Sequence, residues 1–250
     1  VSAGWIISDE DFMEGVSSTM NYLKVRASYG LTGSNELNGN YGYIAGVGTS
    51  NYVLGGSLVP GKYVSGLGNN LLTWEENKQL DLGIDLGFFN DRIYLMYDYY
   101  QKKTDGMLYQ IDIPAASGFW NYTANMGNYK SWGHEITIQS RNLVGDFTWT
   151  TNLNLTFNRN KVTKLGTNDT PNGGYNNQED FNRLQVGEPI GIFMGYVFDG
   201  VYMTEEELNS QPKYASSEIG TARMKDMDGN GVIDANDRVK IGDPNPDMLY

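Results

Sequence analysis

The fold class of this 250-residue chain is decided by one stretch, Lys78-Gln79-Leu80-Asp81-Leu82-Gly83-Ile84-Asp85-Leu86-Gly87. Leucine or isoleucine occupies every second position, and polar residues or glycine occupy the positions between them. Because successive side chains of a β-strand point to opposite faces, this order gives one apolar and one polar face. A helix would scatter the same leucines around its circumference. The stretch therefore predicts a two-faced β-strand.

The same alternation recurs in three other segments, at residues 22–29, 93–100 and 147–158. These runs are longer than the roughly five or six residues usual in soluble sheets, and they approach the roughly nine to eleven of a tilted strand crossing a bilayer. In the last segment the second face is rich in amides and hydroxyls, as expected for a water-filled lumen. Strand length is the first indication of a membrane protein.

The connections between strands alternate in length. Short turns are predicted at residues 86–92 and 142–146, and long Gly/Asn/Ser-rich segments at 33–70, 166–181 and 203–237. Short turns on one side and long loops on the other are typical of outer-membrane barrels, as are the aromatic clusters near strand ends. The sequence thus predicts an all-β fold: a segment of an antiparallel transmembrane β-barrel with long extracellular loops. A soluble β-sandwich or β-solenoid has the same alternation and is the alternative.

Composition excludes several functions. The net charge of −12 argues against binding to nucleic acid, since phosphate neutralisation needs clustered Lys and Arg. The chain has no cysteine and one histidine, so a metal site would use oxygen ligands. His134 has no recognisable nucleophile as a partner and is interpreted as structural. No catalytic residues are predicted, and the protein is not expected to be an enzyme.

Several motifs resemble one family when they are taken in order. Residues 23–33, Leu-Lys-Val-Arg-Ala-Ser-Tyr-Gly-Leu-Thr-Gly, are followed by Leu72-Thr73-Trp74-Glu75 and by Lys78 to Asp85. Further along are Asp98-Tyr99-Tyr100, Asn125-Met126-Gly127 and Gly133-His134-Glu135. This order and spacing resemble the SusC/RagA-type TonB-dependent outer-membrane transporters of Bacteroidota, over most of the chain from Tyr22 to Tyr250.

The resemblance implies that residues 1–250 are part of the C-terminal β-barrel domain of such a transporter, without its plug, TonB box and terminal strands. It implies TonB-dependent uptake of oligosaccharides, or of peptides, across the outer membrane of a Gram-negative cell. The implied partners are a SusD-like surface lipoprotein, outer-membrane lipid, and TonB, which would act through the absent plug region.

One segment within a predicted loop, residues 226–237, fits the twelve-residue calcium-loop pattern. Oxygen ligands fall at the required positions, and Gly231 is the turn glycine at position 6. The ligand set is Asp226, Asp228, Asn230, the Val232 carbonyl, Asp234 and Asp237. Asp237 replaces the bidentate Glu, which predicts weaker binding of calcium. The alternative is an acidic turn whose side chains cap its own backbone.

Aromatic side chains are the candidates for substrate binding, because an apolar ring face fits the C–H face of a sugar. The candidates are Trp120, Tyr122, Trp132 and Tyr175. Placement in a membrane-interface girdle is the competing interpretation for these aromatics. Two other functions compete with the importer: a calcium-binding carbohydrate-adhesion or structural β protein at the cell surface, and, less favoured, a soluble glycan-active enzyme.

Overall fold

The computed structural model of the chain describes residues 1–35, 41–166 and 182–249, apart from the side chain of Asp112. The chain divides into two compact units, one formed by Val1–Thr167 with Pro246–Tyr250 and the other by Asn168–Asn245. Within the described ranges, none of the helices combines the length and apolar character needed to span a membrane.

Thirteen strands and one short α-helix, α1 (Glu205–Ser210), make up most of the described structure. In chain order the strands are β1 Ser2–Ile6, β2 Met20–Ser34, β3 Gly46–Leu54, β4 Ser57–Gly66, β5 Glu75–Phe88, β6 Ile93–Asp112, β7 Asn121–Leu143, β8 Trp149–Lys164, β9 Asn182–Arg183, β10 Ile192–Gly195, β11 Phe198–Val201, β12 Ala222–Met224 and β13 Val239–Gly242.

The first unit is built on an antiparallel six-stranded sheet with the order β1-β2-β5-β6-β7-β8. The alternating segments lie in β2, β5, β6 and β8, except that β8 begins at Trp149, two residues after the start of the last segment, and this confirms the predicted all-β antiparallel class. The strands are longer than the alternation indicated, and β6 and β7 reach 20 and 23 residues. They continue as a paired hairpin beyond the alternating segments, and the register between them shifts near Met107.

Strand register aligns the apolar positions across the sheet. One row runs across five strands through Val25, Ile84, Tyr97, Ile136 and Leu155. The adjacent row, one residue away on each strand and on the opposite face, consists of Lys24, Asp85, Met96, Thr137 and Asn154. The sheet therefore has one apolar and one largely polar face across these five strands.

The short-turn end of the sheet is closed by the predicted turn between β5 and β6. Phe89, Asn90 and Asp91 have φ angles of 56°, 55° and 60° in this turn. Asn and Asp tolerate the left-handed region better than other non-glycine residues. The Asn21 amide donates a 2.6 Å hydrogen bond to the Asp91 carboxylate, which fixes the turn against the start of β2.

The opposite end carries the longer connections. The predicted loop 33–70 contains a hairpin of β3 and β4, outside residues 36–40, which the structure does not describe. Most of the predicted loop 166–181 also lies outside the described residues. The β6–β7 hairpin extends at this same end, and it is closed by a 2.9 Å bond from the Ile113 N–H to the Trp120 carbonyl.

The second unit contains a three-stranded sheet, in the order β13-β10-β9, and a two-stranded sheet of β11 and β12. Ile192, Tyr202 and Ile233 are buried there, with 0%, 1% and 3% of their surfaces exposed. The predicted loop 203–237 lies within this unit. Helix α1 begins after Thr204, whose hydroxyl accepts a hydrogen bond from the Glu207 N–H, so the acidic run at 205–207 forms a capped helical turn.

Candidate functional site

The polar face of the main sheet contains a charged cluster of Arg26, Asp85 and Asp98. Arg26 Nη2 lies 2.9 Å from an Asp85 oxygen and 2.8 Å from an Asp98 oxygen. Asp85 is 6% exposed, and the Arg26 guanidinium is its ion-pair partner. Gly83 is opposite both Arg26 and Asp98, and a Cβ there would lie 2.6 Å from the Arg26 guanidinium carbon. Glycine therefore provides the space through which three strands share one ion cluster.

A shallow concavity of about 510 Å³ adjoins this cluster on the polar face. Its lining contains both acidic and basic side chains together with hydroxyl and amide groups, among them Asp81, Tyr100, Lys102 and Glu135. Ser28 donates a 3.0 Å hydrogen bond to Asp81 within it. A lining of mixed charge can hydrogen-bond a hydrated polar molecule without attracting one sign of charge.

The structure separates the predicted substrate-binding aromatics. Trp120 is 77% exposed at the tip of the β6–β7 hairpin, and the nearby Tyr122 is half-buried on β7. Trp132 pairs with Gln101 and Arg159 on the apolar face of the sheet, a placement that favours the girdle interpretation for this residue. Tyr175 lies outside the described residues. The candidates therefore do not form one site in the described part of the chain.

His134 also lies on the apolar face, between two tyrosines of β6. Its Nδ1 is 2.8 Å from the Tyr97 hydroxyl, and its ring centroid is 5.2 Å from that of Tyr99. A polar side chain on an apolar face needs such a partner. This pairing fits the structural role predicted for the histidine.

The predicted calcium loop folds so that three of its carboxylates converge. Oxygens of Asp226, Asp228 and Asp237 lie within 4.8 Å of one another. The turn is shaped by Gly229 and Gly231, with φ angles of 76° and 84°, and the Gly231 N–H donates a 2.8 Å hydrogen bond to Asp226. Bonds from Gly231 and Gly229 hold the pKa of the Asp226 carboxyl below its usual range.

The side chains of the predicted ligands also accept hydrogen bonds from backbone N–H groups of the loop. Asp234 caps the 3₁₀ turn Ala235–Asp237, and Asn230 accepts a 2.8 Å bond from the Val232 N–H. Asp237 is fully buried and accepts from the Met227 and Asp234 N–H groups at 2.7 and 2.8 Å. The self-capping alternative is thus also realised. Because each carboxylate oxygen has two lone pairs, these bonds leave acceptor capacity for a cation, and the donor set fits calcium.

Two features of the sheet were not identified from the sequence: the Arg26 cluster and the packing of Trp74 against Gly33. The Arg26 cluster could have been found from the polar positions of the alternation, but only with the register between strands. Trp74 lies against Gly33, where a Cβ would come within 2.6 Å of the indole ring. Trp74 remains 67% exposed and marks the long-loop end of the sheet.

Comparison with known proteins matches residues 3–232 to the family described as TonB dependent receptor-like, beta-barrel. The chain is similar to TonB-dependent receptor P3 of Formosa agariphila, at 36% identity over 98% of the chain and 25% of the relative. It is also similar to TonB-dependent receptor SusC of Bacteroides thetaiotaomicron, at 28% identity over the whole chain and 25% of the relative. The chain thus spans about a quarter of these relatives.

Solved structures agree with this match at the level of the fold. The RagAB peptide transporter covers 99% of the chain with a TM-score of 0.77 at 23% identity, and the chain corresponds to 26% of that structure. These matches confirm the resemblance to SusC/RagA-type proteins that the ordered motifs indicated. The chain belongs to the TonB-dependent receptor β-barrel family.

Proposed function

We propose that this chain forms barrel wall and surface loops of an outer-membrane transporter that imports an oligosaccharide or a peptide with energy delivered through TonB. A SusD-like surface lipoprotein would be its partner at the long-loop end. TonB would act through a plug region outside these 250 residues. Membership of a receptor family identifies the chain as part of a receptor and not of an enzyme, and it argues against the adhesion or structural alternative.

The observation that carries this proposal is the two-faced sheet in continuous register. On the face that carries the apolar row through Ile84 and Ile136, several side chains are open to the surroundings: Leu82 and Leu153 are each over 40% exposed. In water such a face would drive association. In a bilayer it is the surface required of a barrel wall, while the polar face with Arg26 lines a hydrated lumen.

The height of the apolar face supports the same placement. Along β5, Phe88 at the short turn is ten residue steps from Lys78, where the apolar positions end. At about 3.3 Å per residue this is roughly 33 Å along the strand, or about 23 Å across a membrane at a tilt of about 45°. Outer-membrane barrels carry an apolar band of about 25 Å. The height of the apolar band on β5 therefore matches the hydrocarbon core of one membrane.

The substrate class is proposed from the relatives and from the chemistry of the polar face. One similar structure is described as a peptide transporter, and one relative is the SusC receptor. A lumen of mixed charge suits a neutral glycan or a peptide carrying both signs of charge. Trp120 at the tip of the exposed hairpin is positioned to stack on a sugar ring or a peptide side chain.

Growth on defined nutrients tests the importer. A strain lacking the full-length gene should fail to grow on one oligosaccharide or peptide of a panel, and the wild-type gene should restore growth. Trp120→Ala should slow growth on that nutrient at unchanged surface abundance, whereas Phe147→Ala, an exposed aromatic at the opposite end, should not. Unimpaired growth of the deletion strain on every nutrient would contradict the proposal.

We also propose that the loop 226–237 binds calcium through Asp226, Asp228 and Asp237. The convergence of three carboxylates supports this role, and the short Asp237 side chain places the affinity in the weak class of about 10⁻⁴–10⁻³ M. Millimolar calcium should slow proteolysis of this loop, and Asp226→Ala should abolish that effect. Calorimetry that shows no heat at millimolar calcium would refute the site.

A further inference from the structure

Four lysines occupy one register row on consecutive strands of the main sheet. Lys78 on β5 pairs with Lys103 on β6, Lys103 pairs with Lys130 on β7, and Lys130 pairs with Lys161 on β8. Neighbouring strands are about 4.8 Å apart, so the four Cα positions span about 15 Å. Like charges placed directly opposite one another destabilise a sheet unless a counter-charge is present. The row therefore requires an explanation.

The row lies on the apolar face of the sheet, where the apolar band ends on the side of the long loops. The lysine row is two residues beyond the row of Leu80 and Trp132. Because alternate residues of a strand share a face, Lys78 lies on the same apolar face as Leu80 and Ile84. The row is also at the end of the sheet that carries the long connections. In an outer-membrane barrel this is the level of the lipid headgroups in the outer leaflet.

Carboxylates of the described chain neutralise only one side of the row. Asp105 lies 2.9 Å from Lys103 and 3.2 Å from Lys78, and Glu76 lies 3.3 Å from Lys78. Among the described residues, no carboxylate pairs with Lys130 or Lys161.

The side around β7 and β8 is therefore strongly basic. Lys130 lies 5.2 Å from the centre of the Trp132 ring. Arg159, two residues before Lys161 on β8, makes its ion pair with Asp247, which is fully exposed. A concentration of basic side chains on one edge of a chain with a net charge of −12 indicates an anionic ligand.

We propose that Lys130 and Lys161, with Lys103 beside them, bind phosphate groups of outer-leaflet lipid headgroups. Lysine ammonium groups are point charges that bind phosphate, and their alkyl stems can lie along the apolar face while the charges reach the headgroup level. Trp132 would anchor the acyl boundary directly below them. Lys102 is adjacent to Lys103 in the sequence but lies on the polar face of the sheet, so it does not share this environment.

This inference rests on the proposed placement in the outer membrane. The test uses the full-length transporter in a neutral detergent and counts bound bisphosphorylated lipid A by native mass spectrometry. Each lysine removed should weaken binding by about fivefold, the factor expected for one basic residue near an anionic surface. Lys130→Gln with Lys161→Gln should therefore lose about 25-fold, and binding should weaken as salt is raised.

Three controls separate the possible outcomes. The double Lys→Arg variant should retain binding, and Lys102→Gln should bind like the wild type. Dephosphorylated lipid A should bind far more weakly than the phosphorylated lipid. Binding of the double Gln variant within twofold of wild type, equal binding of dephosphorylated lipid, or occupation of the row by inorganic phosphate or an acidic protein in place of lipid would overturn the proposal.

Assembly of the barrel is measured separately by its electrophoretic mobility before and after heating. A wild-type protein that does not assemble in bilayers would refute the proposed function and this inference together. A wild-type protein that assembles but does not distinguish the phosphorylated lipid would refute the inference alone. If the double Gln variant does not assemble, the single Lys130→Gln and Lys161→Gln variants should each still lose about fivefold.

Discussion

Arginine placed at two adjacent positions of β7 should destabilise the protein at one position and leave its stability nearly unchanged at the other. Ile136 lies in the apolar row between Tyr97 and Leu155, about midway between the short turn and the end of the band. Thr137 is the next residue, at the same depth, and pairs with Met96 and Asn154 on the polar face. Both side chains are half-buried in the sheet, so a difference between them reports what each face contacts.

Ile136→Arg places a guanidinium near the centre of the hydrocarbon layer. The expected cost is about 2–4 kcal/mol, the range for a basic residue at the midplane of a barrel wall. Thr137→Arg places the same group in the hydrated lumen, where a change within about 0.5 kcal/mol is expected. At about 1.4 kcal/mol per factor of ten, the Ile136 variant should shift the folding equilibrium by about 30-fold to 700-fold.

The assay is guanidinium unfolding of the full-length transporter from phosphatidylcholine vesicles, followed by tryptophan fluorescence and by gel mobility. The two variants are compared at constant lipid composition. Equal losses at both positions, or a larger loss for Thr137→Arg, would refute the assignment of faces on which the membrane placement depends.

Three further outcomes follow from the geometry. Gly33→Ala should displace the ring of Trp74, which would lie 2.6 Å from the added carbon; because this side chain is 67% exposed and can shift, the expected cost is about 0.5–1.5 kcal/mol of unfolding free energy, and an unchanged midpoint would contradict this packing. Asp85→Asn should cost about 1–2 kcal/mol of unfolding free energy, since Arg26 loses a charged acceptor but keeps Asp98 and is 36% exposed. Unchanged stability would show that the ion cluster does not stabilise the sheet. The lowered pKa of the Asp226 carboxyl means that its stabilisation of the loop is present above the ordinary value of 3.8 and disappears only as the pH falls through the folded-state value. Hydrogen exchange of the loop should report this acid transition, and Asp226→Asn should remove it.

The class of the fold was predictable because alternation is a local signal. Each of the segments 22–29, 78–87, 93–100 and 147–158 encodes its two faces in consecutive residues. Strand ends were not predictable in the same way. β6 and β7 continue past the band as a hairpin, and register shifts near Met107 interrupt the two-residue period there.

Sites that depend on pairing between strands were not accessible from the sequence. Lys78, Lys103, Lys130 and Lys161 are separated by 25 to 31 residues, and only the register places them in one row. The calcium loop was predictable because its ligands lie within twelve residues. Even so, the capping roles of Asp234 and Asn230 depend on backbone geometry that the spacing does not specify.

The most direct test of the central claim is the pattern of lipid contact along β5. Because these 250 residues contain no cysteine, single cysteines can be introduced at each position from 79 to 86, spin-labelled and measured in bilayers. Accessibility to oxygen should be high at Leu80, Leu82, Ile84 and Leu86, and accessibility to a water-soluble nickel complex should be high at the positions between them. Uniform accessibility along the strand, or the opposite phase, would contradict a membrane-facing wall.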